Sequence, residues 1–120
     1  MPRPLTSEER LVLVSMIDRA EPFDGEARTN AAARHAWRAQ VAGLVVDSMC
    51  GCGVCPSVSL SSTAQPAVGS GDERVILGAG LSDALVLLLI DDGTPSYLEL
   101  APRSDGTSYT VFPDATLLEF

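Results

Sequence analysis

The chain is poor in groups that carry chemistry. It holds a single histidine, His35, a single tryptophan, Trp37, and only 5% aromatic residues. A Ser-His-Asp arrangement would have to bring His35 from a helical segment to a serine and an acid elsewhere, and no Gly-x-Ser-x-Gly elbow supports it. Long apolar runs are lacking too. The longest, Ala84 to Ile90, has the length of a strand and falls short of the roughly 18 residues that a membrane span needs. The segment Met1 to Glu9 has no apolar stretch of the kind a signal peptide carries. Three cysteines are an odd number, so no closed disulfide framework forms within one chain. Together these features predict a protein of the reducing cytoplasm, with no membrane association.

Positive charge is scarce in one half of the molecule. Residues 1–40 balance six arginines against six acids, whereas residues 41–120 carry only Arg74 and Arg103, and the whole chain has a net charge of −8. A field of that sign repels phosphate backbones, which argues against nucleic-acid binding. It suits a basic protein partner, including a basic toxin for which the chain would act as an immunity-type inhibitor. Phosphate loops are missing as well: neither Val68-Gly69-Ser70-Gly71 nor Gly78-Ala79-Gly80 stands between a strand and a helix. The pairs Ser82-Asp83, Asp91-Asp92 and Ser104-Asp105 read as turn chemistry.

What remains is a globular composition, 46% hydrophobic and 20% charged over 120 residues, which predicts a single domain spanning 1–120. So apolar a chain of this size is expected to cover part of its surface by forming a homodimer. Thr6 to Ala20 reads as a first helix, with Thr6 and Glu9 placed for a capping box and Leu13, Met16, Ile17 and Ala20 on one stripe. Pro22 and Gly25 end it, and Phe23 anchors the turn. Ala-rich Glu26 to Val41 reads as a second helix, with Arg34 and Arg38 on a solvated face or gripping the acidic half of a second copy.

After Gly43 the period changes to that of strands. Leu44 to Met49 and Ser57 to Ser61 form an expected hairpin, Ser62 to Asp72 a loop, and Arg74 to Gly78 a short strand that Gly78-Ala79-Gly80 turns. Ala84 to Ile90 reads as a strand buried on both faces, Asp91-Asp92-Gly93-Thr94 as its hairpin turn, and Tyr97 to Leu100 as its partner. Tyr109 to Phe112 reads as a last strand, and Leu117 to Phe120 as a segment that closes an edge or meets a second subunit. The expected fold is α+β: two N-terminal helices packed on an antiparallel β-meander of four to five strands.

All three cysteines fall in Cys50-Gly51-Cys52-Gly53-Val54-Cys55-Pro56, the loop of the first hairpin. Three readings stand side by side. Zinc takes four tetrahedral ligands, and Cys50, Cys52 and Cys55 supply three, with His35 as a fourth or Asp47 as the nearest carboxylate. Cys52 and Cys55 also form a Cys-x-x-Cys pair, with Cys50 as a resolving or sensing thiol, although no helix follows to lower a thiol pKa. In the third reading the cysteines are small buried fillers beneath packed helices and no cofactor is bound.

Leu5 to Arg10, Phe23-Asp24-Gly25, the cysteine turn through Leu60 and Tyr97 to Leu100, taken in order, resemble a set of small uncharacterised actinobacterial proteins. A basic set made wholly of arginine fits a GC-rich genome. In that family the turn is tighter, Arg-Cys-Gly-Cys-Gly-Cys-Pro; here Met49 stands in place of the arginine and Val54 is additional. The resemblance implies no activity. The expected function is therefore non-enzymatic, through protein contacts and most simply as a homodimer, with a zinc-binding or redox-responsive thiol protein and a toxin inhibitor as alternatives.

Overall fold

A computed structural model describes residues 3–22, 31–49, 56–62, 74–91, 93–103 and 111–120. The elements in chain order are β1 (Arg3–Pro4), α1 (Ser7–Arg19), β2 (Glu21–Pro22), α2 (Ala31–Ala39), β3 (Leu44–Met49), β4 (Val58–Ser62), β5 (Arg74–Leu81), β6 (Ala84–Asp91) and β7 (Thr94–Pro102), with short 3-10 turns at Val41–Gly43 and Ala115–Leu117. All strand pairs are antiparallel and join in one seven-stranded sheet of order β1-β3-β4-β7-β6-β5-β2.

This α+β arrangement corrects the expected four-to-five-stranded meander beneath two N-terminal helices. Two of the seven strands are only two residues long, Arg3–Pro4 and Glu21–Pro22, too short to leave an alternating pattern in the sequence. They flank α1 in the chain yet lie at opposite edges of the sheet. Helix α1, 13 residues and about 20 Å long, thus straps the sheet from one edge to the other. The order is also not sequential, because the β3–β4 hairpin inserts between β1 and β7.

The strap is fixed at both ends. At its start, Glu9 N–H donates to Thr6 Oγ1 at 3.1 Å and Thr6 N–H donates to Glu9 Oε1 at 2.8 Å, closing the capping box that the sequence predicts. Arg3 on β1 adds two parallel hydrogen bonds to the same carboxylate, both 2.9 Å. Burial alone would push the Glu9 carboxyl up; the Arg3 fork and the Thr6 N–H outweigh it and hold the group below its usual range. At the other end Arg34 of α2 donates to the carbonyls of Ile17 and Ala20 at 2.8 and 2.7 Å, taking up acceptors the helix leaves unpaired. Arg38 pairs with Asp18. The two arginines read as a solvated face therefore bind α2 to α1.

The core lies on one face of the sheet. Val12, Leu13, Met16 and Ile17 of α1 and Trp37 of α2 pack with Val75, Leu77, Val86, Leu88, Leu98, Val58 and Val46, each of them buried. The registers Leu77↔Leu88, Leu88↔Leu98 and Val58↔Leu98 put these strand residues in one layer.

Several boundaries differ from the sequence reading. Strand β5 continues through Gly78-Ala79-Gly80, and the turn follows at Ser82–Asp83. Gly78 and Gly80 stand opposite Leu87 and Leu85 of β6, and the side chains of Glu119 and Arg103 lie over Gly80. Helix α2 runs Ala31–Ala39; the earlier part of the expected helix, Glu26 to Asn30, and Phe23 lie outside the described residues. Val111 and Phe112 are not in a strand, and the other half of the expected last strand, Tyr109 and Thr110, lies outside the described residues. The β3–β4 hairpin forms with Met49 opposite Val58, and the β6–β7 hairpin turns at Gly93, whose φ of 81° favours glycine. Leu118 is buried, and Glu119 bridges to Gly80 with two backbone bonds of 2.8 Å, closing part of the β5 edge.

Candidate interaction surface

The cysteine segment lies in the sequence between Met49, the last residue of β3, and Pro56, two residues before β4. Cys50, Cys52 and Cys55 lie outside the described residues. Just past them Ser57 is buried; its hydroxyl accepts from Leu100 N–H at 2.9 Å and donates to the Leu100 carbonyl at 3.4 Å, so both backbone groups of Leu100 have a partner there. His35 lies exposed on α2. Gln40, just beyond α2, donates to the carbonyl of Gly93 in the β6–β7 turn. Met49 and Val58 pair beside Leu98, further along β7 than that turn. Asp47 is exposed at a bulge in β3, where the register slips between Val46 and Ser48. Among the described residues no three His, Cys, Asp or Glu side chains gather in a metal-ligand cluster.

Chemistry elsewhere is sparse. A half-open hollow of about 250 Å³ is lined by Leu81, Ser82, Pro113, Leu117 and Glu119. It is smaller than the roughly 300–1,000 Å³ of ordinary ligand sites, and its one carboxylate has no base or nucleophile pair in the lining. Among the described residues no helix is long and apolar enough to cross a membrane.

The informative surface is the second face of the sheet. Strand β6 alternates strictly, with Ala84, Val86, Leu88 and Ile90 buried and Leu85, Leu87, Leu89 and Asp91 half-buried. This corrects the expectation of a strand covered on both sides. Leu85, Leu87 and Leu89 point away from α1 and α2 and do not join the core. Their neighbours across the sheet share the face: Leu89 stands between Tyr97 and Ile76, and Leu87 between Glu99 and Gly78. The next position beyond Gly78 is Glu21 of β2. An apolar ridge thus runs along β6, beside a lower strip where β5 offers glycine, with carboxylates to either side. At the end of the ridge Arg74 donates to Asp91 at 2.6 Å. That bond holds the Asp91 carboxyl below its usual range, against a smaller opposing effect of burial and with help from the Ser96 hydroxyl.

Sequence reasoning missed this surface because leucine fills both phases of β6. The signal lay in the neighbours. Tyr97-Leu98-Glu99-Leu100 and Ser57-Val58-Ser59-Leu60-Ser61 alternate, and a sheet whose flanking strands are polar in one phase is wet on that face.

No protein-family model, no curated protein and no solved structure matches the chain.

Proposed function

We propose that the chain is a non-enzymatic protein-binding domain of the cytoplasm whose working surface is the sheet face turned away from the helices. One observation carries the reading: Leu85, Leu87 and Leu89 form a continuous ridge on a central strand, and among the described residues no helix lies over it. A solvent-facing sheet normally alternates apolar-in, polar-out. Apolar side chains in the outward phase of a central strand cost solubility, and apolar patches of this kind mark contact sites.

Substitution at Leu87 tests it. Leu87→Asp is expected to leave the unfolding midpoint nearly unchanged and to lower binding of a hydrophobic dye. A variant that no longer folds would show that Leu87 is core, and the reading would fail. Light scattering across concentrations then reports whether a second copy is the occupant. A homodimer on this face dissociates in Leu87→Asp, and a mass of one chain at every concentration removes the homodimer.

A further inference from the structure

We propose that this face receives a basic amphipathic helix of another protein rather than a second copy of the chain. The inference rests on the reading above and names the partner of the same surface.

The argument starts from one row of the sheet. Glu99, Leu87, Gly78 and Glu21 stand side by side in register on β7, β6, β5 and β2. Three strand spacings separate the two glutamates, about 14 Å. An α-helix with its side chains is about 10–12 Å wide. A helix laid along β6 and β5 therefore fits between the two carboxylates, with its apolar stripe on the leucine ridge and over the strip that Gly78 leaves low.

The charges select the sign of the occupant. Among the described residues neither Glu21 nor Glu99 forms an ion pair, unlike Asp91, which Arg74 neutralises. Glu119 extends the row of Glu21 along the β5 edge, with its carboxylate and the Arg103 guanidinium both over Gly80. Stacking the face on its own copy would gather both copies' Glu21, Glu99 and Glu119 in a layer from which water is excluded, with Arg103 as the one cation on the face not already paired with a carboxylate among the described residues. A helix with arginine or lysine beside its apolar stripe meets both carboxylates with opposite charge instead.

The edges favour a helix on the face over a strand added at the side. Both outermost strands are two residues long, and Glu119 covers part of β5 next to β2, which breaks the edges into short stretches rather than one long strand to add to. A helix on the second face also completes the layering of helices on a sheet that the first face already shows.

The test titrates the protein with a leucine–lysine amphipathic helix about five turns long, and with its leucine–glutamate counterpart, followed by amide NMR. The leucine–lysine peptide is expected to bind and to shift Leu87, Gly78 and Glu99, while the leucine–glutamate peptide leaves them in place. The double substitution Glu21→Gln with Glu99→Gln is expected to weaken binding by roughly tenfold, as two partly exposed charge pairs imply. Equal affinity in that variant, or shifts clustered away from the ridge, would overturn the inference. If the leucine–glutamate peptide binds the ridge as well, or a self-dimer forms there, the inference fails while the contact surface stands. If neither peptide reaches the ridge and Leu87→Asp unfolds the protein, both fail.

Discussion

The two faces of the sheet are built from the same strands and have different fates. On β6 the inner residues Ala84, Val86, Leu88 and Ile90 are all 1% exposed or less, whereas Leu85, Leu87 and Leu89 are only half-buried. The difference lies in what the chain places above each face. A helix tied to both edges of the sheet covers one of them, and the described residues place no helix over the other. Hydrophobicity alone does not tell core from contact surface. The same residue type, leucine, serves as both within one strand, and the position of α1 decides which.

The largest effect should come from testing the two faces on adjacent residues. Leu88→Ala removes a side chain with no exposure and is expected to cost about 2–5 kcal/mol, because the cavity closes only in part. Leu87→Ala should cost about 1 kcal/mol or less, as for other positions outside the core. Chemical denaturation measures both, and similar losses would erase the distinction between the faces.

The strap itself is the next target. Glu9→Gln removes the carboxylate that Arg3 and Thr6 share and is expected to cost about 1–3 kcal/mol near neutral pH. The sign with pH follows from the direction of the shift. Glu9 is held below its unfolded value of about 4.3, so its contribution is complete above that pH and is lost as pH falls through the folded value. Stability curves of the protein and of Glu9→Gln should therefore draw together in acid. A constant gap down to the acid transition would show that Glu9 does not act through its charge.

Part of this architecture was legible in the sequence, and the reason is physical. Capping signals are local: Thr6 and Glu9 sit three apart, and the box forms as read. The β3–β4 hairpin was legible from the apolar start of Leu44 to Met49 and the alternation of Ser57 to Ser61 on either side of a Gly-rich segment. The strap was not. Strands of two residues carry no period, and their positions at opposite edges depend on pairing with Val46 and with Gly78, far along the chain. The cysteine segment stood out in the sequence, but it lies outside the described residues. The ridge of Leu85, Leu87 and Leu89 was visible as composition and misread as core, because which phase of a leucine run is covered is a tertiary fact.

Smaller effects sharpen the comparison further. Ser57→Ala leaves the Leu100 N–H without its acceptor at the junction of β4 and β7, and is expected to cost about 1–3 kcal/mol. Amide exchange should show Leu100 losing protection; unchanged protection would mean that water replaces the hydroxyl without loss. Smallest of all is the polar end of the second face. Arg74 and Asp91 pair there in the open, and Arg74→Ala should leave the denaturation midpoint where it was. A clear drop would indicate that the second face contributes to folding.

The most direct measurement is the relaxation of leucine, valine and isoleucine methyl signals by a soluble paramagnetic agent in the free protein. The account predicts strong broadening at Leu85, Leu87 and Leu89 and none at Val86, Leu88 and Ile90 in dilute solution. Equal protection of the two sets at every concentration would contradict it, because the ridge would then be covered by the chain itself.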